Sequence, residues 1–344
     1  MTVVWVTHPG YFDHHTGAHP ERPERLRAVL AAAADERLHD AIVHVEASPA
    51  SRLDLQRVHP AAYLDELDEV ARGGGGRIDA DTVMSTRSAA AATLAAGAGL
   101  TAVDALRRGD GSAAFCAVRP PGHHATRRQA MGFCLVSNIA VTAAALADAG
   151  ERVWVFDFDA HHGNGTQDVF YDDPRVLFVS IHQWPLYPGT GRRTDIGSGA
   201  GLGTTLNVPL PPCATGDVYG RAFDQVIAPV VERFAPTWLL MSAGFDAHRA
   251  DPITDLGLSA GDFADLVGRA VRLVPPGRVV AMLEGGYDLD ALTASTTAVL
   301  GVLAGVAVAG EAATNGGPGA DHVALVREAW IGHDEVGAPL DVRS

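Results

Sequence analysis

The sequence predicts a single α/β domain with a mostly parallel central sheet and helices on both faces. Three observations carry that expectation. Short apolar, β-branched runs alternate with helical patterns, polar clusters follow directly on four of the runs, and 344 residues with 47% hydrophobic content show no compositional seam between two units. Alternation of this kind joins parallel strands through helical crossovers.

Val3 to Thr7 is the first run, and its valines and tryptophan mark a strand. Pro23 to Ala34 carries a helical pattern behind a proline suited to a first turn. A long alanine-rich stretch, Arg87 to Leu106, predicts a helix leading to the strand Ala113 to Val118, and Asn138 to Ala149 predicts the next helix. Strands then follow at Arg152 to Phe158, Val176 to Ile181 and Thr204 to Val208, before a helix at Asp217 to Phe234. Strand Trp238 to Ser242, helix Ala260 to Leu273 and strand Arg278 to Leu283 complete the alternation. The longest apolar run, Ala298 to Ala309, is too short and glycine-rich to span a bilayer.

A formal charge of −15 argues against a nucleic-acid partner, because phosphate binding draws on basic residues. A cationic substrate suits it better. All 26 basic residues are arginine, which reads as codon bias rather than function. Cys116, Cys134 and Cys213 are odd in number and share no C-x-x-C spacing, so neither a disulfide framework nor a cysteine zinc site is expected. Met1 to Gly10 lacks a basic segment followed by an apolar core, and a soluble, cytoplasmic protein is the expectation.

In open parallel sheets the ligand crevice lies beyond the carboxyl ends of the strands, and there the polar clusters collect: Arg119 to His124, Asp157 to Asn164, Gly244 to Asp251 and Glu284 to Tyr287. Extended geometry to the end of the Asp157-Phe158-Asp159-Ala160-His161 run would point Asp157, Asp159 and His161 to one side. An isolated Asp-x-His is ordinarily a capped turn. Here Asp159 and His161 would supply an oxygen and a nitrogen to zinc at about 2.0 to 2.2 Å, with Asp246, at the end of another strand, as the second carboxylate and one position left for water. His123-His124 sits in a loop stiffened by Pro120, Pro121 and Gly122. Beside such a site, one of the two imidazoles can take a proton from the attacking water and return it to a leaving amine, with Asp157 or Asn164 orienting the rings.

These residues resemble the histone deacetylase superfamily, nearest its class II and bacterial homologues. The resemblance rests on Arg119-Pro120-Pro121-Gly122-His123-His124-Ala125, Met131-Gly132-Phe133-Cys134, Asp157 to Gln167, Pro188-Gly189-Thr190-Gly191, Ser242-Ala243-Gly244-Phe245-Asp246 and Leu283-Glu284-Gly285-Gly286-Tyr287, and spans roughly Thr7 to Leu300. It implies an arginase/deacetylase-like fold, a catalytic core at about 7–310 and a C-terminal extension at 311–344. It also implies one zinc on Asp159, His161 and Asp246, His124 as general base and then acid, and His123, paired with Asp157, as an electrostatic partner. By the same resemblance Tyr287 donates its hydroxyl to the acyl carbonyl, Gly132, Phe133 and Tyr187 line a narrow channel, and Arg25 belongs to an internal acetate-release path.

A potassium or sodium ion is implied beside the zinc, held by Asp157, Asp159, His161, Ser180 and Ile181. A second monovalent site is matched loosely near Phe170, Asp173, Val176 and Thr204. Asn164 stands where class I members carry aspartate and agrees with class II. Asp81, with Asp79 near it, falls in the loop where relatives grip substrate backbone; a solvated loop charge is the alternative. Members specialised for polyamines place a glutamate seven residues after the last zinc aspartate, and here that position is Ile253, which offers no partner to a buried ammonium. The implied activity is hydrolysis of acetyl or similar small acyl amides on a long amine such as acetyl-lysine. Acetylated polyamines or small-molecule amides, a weakly catalytic acyl-lysine binding module and a two-manganese ureohydrolase are the alternatives. Oligomeric state is left open.

Overall fold

In a computed structural model of the protein, residues 1–308 and 310–335 are described. Eight strands form the central sheet: β1 (Val3–Thr7), β2 (Ile42–Glu46), β5 (Ala113–Cys116), β6 (Val153–Asp157), β7 (Val176–Gln183), β8 (Thr205–Leu210), β9 (Trp238–Ala243) and β10 (Val279–Leu283). A separate antiparallel hairpin pairs β3 (Gly75–Arg77) with β4 (Val83–Ser85). The sheet order is β2-β1-β5-β10-β9-β6-β7-β8, and every neighbouring pair is parallel.

Helices Ser88–Arg108 and Asn138–Asp148 pack on each other and against β1, β5, β6, β9 and β10. A second layer joins Pro23–Ala33, Leu289–Ala304 and Ala260–Ala270, with Leu289–Ala304 reaching β1 and β5. Cover on both faces explains why β5 through β10 are buried throughout and why β5, β6, β9 and β10 are nearly unbroken apolar runs. The edge strand β2 escapes prediction because only one flank is covered: its pattern of partly buried and exposed residues lacks a continuous apolar run. At the other edge, helix Ala320–Glu335 lies along β8 and buries Val323, Val326 and Trp330.

The predicted helix Asp217 to Phe234 is one continuous rod with a π turn at Phe223–Ile227, where the Ala228 N–H reaches back to the Phe223 carbonyl. Pro229, next in line, has no N–H to continue the regular ladder. Helix Ser88–Arg108 is long and apolar enough by length and composition to cross a membrane, a property hidden from a search for unbroken apolar runs by Thr93, Thr101 and Asp104. Here it is a core helix, with Ala92, Ala95, Ala96, Ala98 and Ala102 fully buried.

The strand order sets up the functional crevice. The chain passes from β5 to β6 across two vacant places, which β9 and β10 fill later. The carboxyl ends of β5, β10, β9, β6 and β7 therefore converge, although their loops are far apart in sequence.

Candidate metal centre and acyl pocket

Asp157 closes β6, so the extended run expected through His161 stops there and Asp159 and His161 lie on the bend beyond it; Asp246 comes from the loop after β9. Among the described residues this is the one group of three or more His, Cys, Asp or Glu side chains that could hold a metal ion: the donor atoms of Asp159, His161 and Asp246 all lie within 4.8 Å of one another. His161 Nδ1 lies 3.1 Å from Asp159 Oδ1 and 2.9 Å from Asp246 Oδ2. The remaining carboxylate oxygens are held by main chain, Asp159 Oδ2 accepting from Gly285 N–H at 2.8 Å and Asp246 Oδ1 from Ala160 N–H at 2.8 Å. A Cβ on Gly244 would fall 2.0 Å from Asp159 Oδ2, so glycine is what lets the β9 loop close on the carboxylate.

Both carboxylates are fully buried. Burial alone would depress the His161 imidazole, yet Asp246 and Asp159 hold it up to about 10. Two buried carboxylates thus share one point with the His161 Nδ1. One imidazole nitrogen and two carboxylate oxygens are a donor set that suits zinc, with overall neutrality and one side open.

The loop after β5 brings in the paired histidines. Gly122 and His123 N–H groups both donate to Glu284 Oε2, at 2.6 and 3.1 Å, and burial pushes that carboxyl up to about 7. His123 Nδ1 lies 3.0 Å from Asp157 Oδ2. Burial works against a charge on His123, but Asp159, Asp157 and Glu284 together hold it well above the ordinary imidazole value. His124 Nδ1 lies 2.7 Å from Asn164 Oδ1. An amide oxygen only accepts, so Nδ1 carries the proton and Nε2 keeps its lone pair. Burial, reinforced by His123 and His161, holds His124 well below 6.5 and therefore neutral.

A cavity of about 280 Å³ opens onto this centre. Its floor has His123, His124, His161 and Gly285; its walls include Gly132, Phe133, Tyr187, Tyr287 and Ile253, with Asp81 on the rim. Phe133 meets Tyr287 edge-on at 5.9 Å, and Tyr187 meets His124 edge-on at 5.2 Å. Gly132 has φ +55°, and a Cβ there would sit 2.4 Å from His124 Cδ2. Burial raises the Tyr287 phenol well above 10, so it is a donor at neutral pH. Arg25 lies 4.7 Å over the Tyr287 ring and donates to the Gly286 carbonyl at 2.6 Å and the Glu284 carbonyl at 2.5 Å.

Other expected positions fall outside the cavity. Ser180 is the register partner of Asp157, and its hydroxyl lies 2.9 Å from His182 Nδ1; Ile181 follows it, fully buried. Asp173 and Thr204 also come together, Thr204 Oγ1 lying 3.4 Å from the Asp173 carbonyl. Asp79 accepts from the Asp81 and Thr82 N–H groups and so holds the loop, leaving Asp81 to face the opening. Sequence reasoning gave no role to Glu284 or Asp251, although Glu284 is an acid directly after the apolar strand β10, the kind of position that singled out Asp157; Asp251, well beyond the end of β9, carried no such signal.

Residues 19–303 match the histone deacetylase domain. The chain belongs to the histone deacetylase family. It is 41% identical over 314 residues to a "Probable deacetylase" of Archaeoglobus fulgidus, covering 89% of this chain and 87% of that one. It is 38% identical over 308 residues to the "Histone deacetylase-like amidohydrolase" of Pseudomonas aeruginosa, covering 88% and 80%. The fold superposes on the crystal structure of the HDA15 HD domain with a TM-score of 0.88 at 34% identity, covering 96% of this chain and 95% of that one. Histone deacetylase-family proteins act on acetylated substrates, and this chain is a hydrolase of that deacetylase/amidohydrolase group.

Proposed function

We propose that this protein is a zinc-dependent deacylase that hydrolyses acetyl or similarly small acyl amides on a long aliphatic amine such as acetyl-lysine. The observation that carries the reading is that His124, bonded through Nδ1 to Asn164, lines one pocket together with His161 of the Asp159–His161–Asp246 donor set. Zinc in that set would supply Lewis acidity, polarising the acyl carbonyl and acidifying the attacking water.

The chain's own groups do the rest. His124 Nε2 accepts the proton of the attacking water and delivers it to the departing amine, and Asn164 keeps the ring in the required tautomer. His123, charged and paired with Asp157, stabilises the negative charge that develops nearby. Tyr287 donates its hydroxyl to the carbonyl oxygen as it becomes an oxyanion. Phe133, Tyr187 and Gly132 admit a slender arm and exclude bulk water. A potassium or sodium ion on Asp157, Asp159, His161, Ser180 and Ile181 would brace the loop behind the zinc. The same proposal takes residues 7–310 as the catalytic core with 311–344 as its extension, and the cytoplasm as its location, without nucleic-acid or membrane partners.

Two alternatives lose ground on particular side chains. A binding module has no use for Tyr287 as donor, and a two-manganese site would need ligands where the Nδ1 atoms of His123 and His124 are committed to Asp157 and Asn164. A polyamine substrate draws support from the charge of −15 and from Asp81 on the rim. The test is metal analysis with kinetics. One zinc per chain, inhibition by a hydroxamate, and loss of both zinc and turnover in Asp159→Ala and Asp246→Ala are expected; full activity of either variant in zinc-free form would sink the assignment.

A further inference from the structure

Asp251 lies on the loop after β9, 8% exposed, and is followed by Pro252, which has no N–H. The first donor beyond it is the Ile253 N–H, which Asp251 Oδ1 accepts at 3.1 Å, an Asx-type turn. Its other oxygen, Oδ2, crosses to the loop after β10 and accepts the Tyr287 N–H at 2.7 Å. One carboxylate therefore holds the main chain of two residues that both line the acyl pocket. The segments on either side have anchors of their own: Thr254 Oγ1 donates to the Asp246 carbonyl, and Asp255 N–H donates to Gln183 Oε1 at 2.8 Å. Tyr287 follows Gly285-Gly286, with Gly286 at φ +119°, a stretch of backbone with little intrinsic stiffness. Gly285 N–H and the Gly286 carbonyl are held by Asp159 Oδ2 at 2.8 Å and Arg25 Nε at 2.6 Å, and the Tyr287 N–H that follows is held by Asp251.

We propose that Asp251 is a positioning residue that locks the Tyr287 hydroxyl and the Ile253 wall in one geometry, so that it sets turnover and amine selectivity together. The inference rests on the reading of Tyr287 as donor to the acyl carbonyl. Asp251 touches neither substrate nor metal in this role; it acts through the two residues whose N–H groups it accepts.

Asp251→Asn leaves one carbonyl acceptor and turns an NH₂ donor toward the other N–H, breaking one of the two ties. Asp251→Ser keeps a short acceptor for Ile253 and cannot span to Tyr287, and it carries the same test where the asparagine variant fails to fold. Each is compared in the wild-type and Tyr287→Phe backgrounds, with an acetyl-lysine peptide and acetylspermidine as substrates, and with zinc content and Tm measured alongside. The expected result is a fall in kcat of about tenfold or more with KM for the peptide little changed, since misplacing a transition-state donor costs turnover rather than binding. Zinc content stays at one per chain, and in the Tyr287→Phe background the further fall shrinks to less than about twofold, because the hydroxyl being positioned is gone. Asp251→Ser, which keeps the Ile253 tie, keeps the wild-type preference between the two substrates, as does Asp251→Asn when its carbonyl stays on Ile253; Asp251→Ala, which loses both ties, lowers kcat and shifts the preference as well. Equal falls in both backgrounds, or an unchanged kcat in the wild-type background, overturn the positioning role. A Tyr287→Phe enzyme with full kcat fails the reading beneath it instead, and the two failures are told apart by that single-variant measurement.

Discussion

Tyr287 is held from two sides, by Asp251 on its N–H and by Arg25 over its ring, and its phenol stays protonated because burial disfavours the anion. Tyr287→Phe removes the hydroxyl alone. kcat on acetyl-lysine should fall by roughly a hundredfold or more with KM nearly unchanged, and an activated trifluoroacetyl amide should suffer less because its carbonyl needs less polarisation. An unchanged kcat would remove Tyr287 from the chemistry. Ile253 bears on selectivity in a different way. An apolar side chain on the wall leaves a secondary ammonium desolvated and unpaired, so acetyl-lysine peptides should show a higher kcat/KM than acetylspermidine, with Ile253→Glu narrowing or inverting the ratio. Kinetics at physiological ionic strength screen the long-range pull of the net charge. A clear wild-type preference for acetylspermidine there would transfer selectivity to the rim and Asp81.

At the scale of elements, helix Ser88–Arg108 shows packing overruling propensity. Gly97 sits in its interior, where alanine would normally gain about 1 kcal/mol. A Cβ there would lie 1.9 Å from the Ser48 carbonyl oxygen and 2.5 Å from Ala50 N, in a loop that the helix itself holds through Ala50 N–H to Thr93 O at 3.0 Å. Neither neighbour is a flexible side-chain end. Gly97→Ala should therefore destabilise the protein, by about 1 to 3 kcal/mol as overpacked sites do, read from the urea midpoint. A raised midpoint would mean that the loop yields and propensity wins. The same contrast governs legibility: the apolar runs of β1, β5, β6, β7, β8, β9 and β10 can be read locally because both their faces are covered, whereas β2 and the hairpin β3–β4 cannot.

Over the whole molecule, acid sensitivity follows from neutral histidines used as buried connectors. His59 Nε2 accepts the Ser137 N–H at 3.0 Å while Nδ1 lies 3.2 Å from the Arg127 carbonyl, and burial holds it down to about 4. His182 is held to about 4 in the same way. A folded value below the unfolded one means that the unfolded chain binds the extra protons, so this contribution is complete above about 6.5 and is lost as pH falls from there toward 4. Glu21, whose carboxylate is pulled down against its burial by His14 and by Arg119 at 2.6 and 2.7 Å, adds to the loss below the ordinary glutamate range. His59→Gln keeps one acceptor and one donor without a titration. It should lessen the pH dependence of stability near pH 5 by about one proton, about 1.4 kcal/mol per pH unit, measured by urea unfolding across pH 4 to 7. An unchanged slope would show that His59 titrates normally in the fold.

The sequence alone determined the alternating strands and helices, the proximity of Asp157, Asp159 and His161 at one strand end, and the family; the period of two does not carry that proximity, because β6 ends at Asp157. These are local signals, carried by residues a few positions apart. Only the tertiary structure decided that β9 and β10 insert between β5 and β6, which brings Asp246 to His161 across 85 positions. It also put Asn164 on His124, gave Asp79 the loop and Asp81 the opening, and joined Asp251 to Tyr287, while the pairing of His123 with Asp157 agrees with what the resemblance implied. Strand order and loop pairing are settled by which buried surfaces fit together across the sheet, and no local pattern encodes that fit because the partners lie tens to hundreds of residues apart.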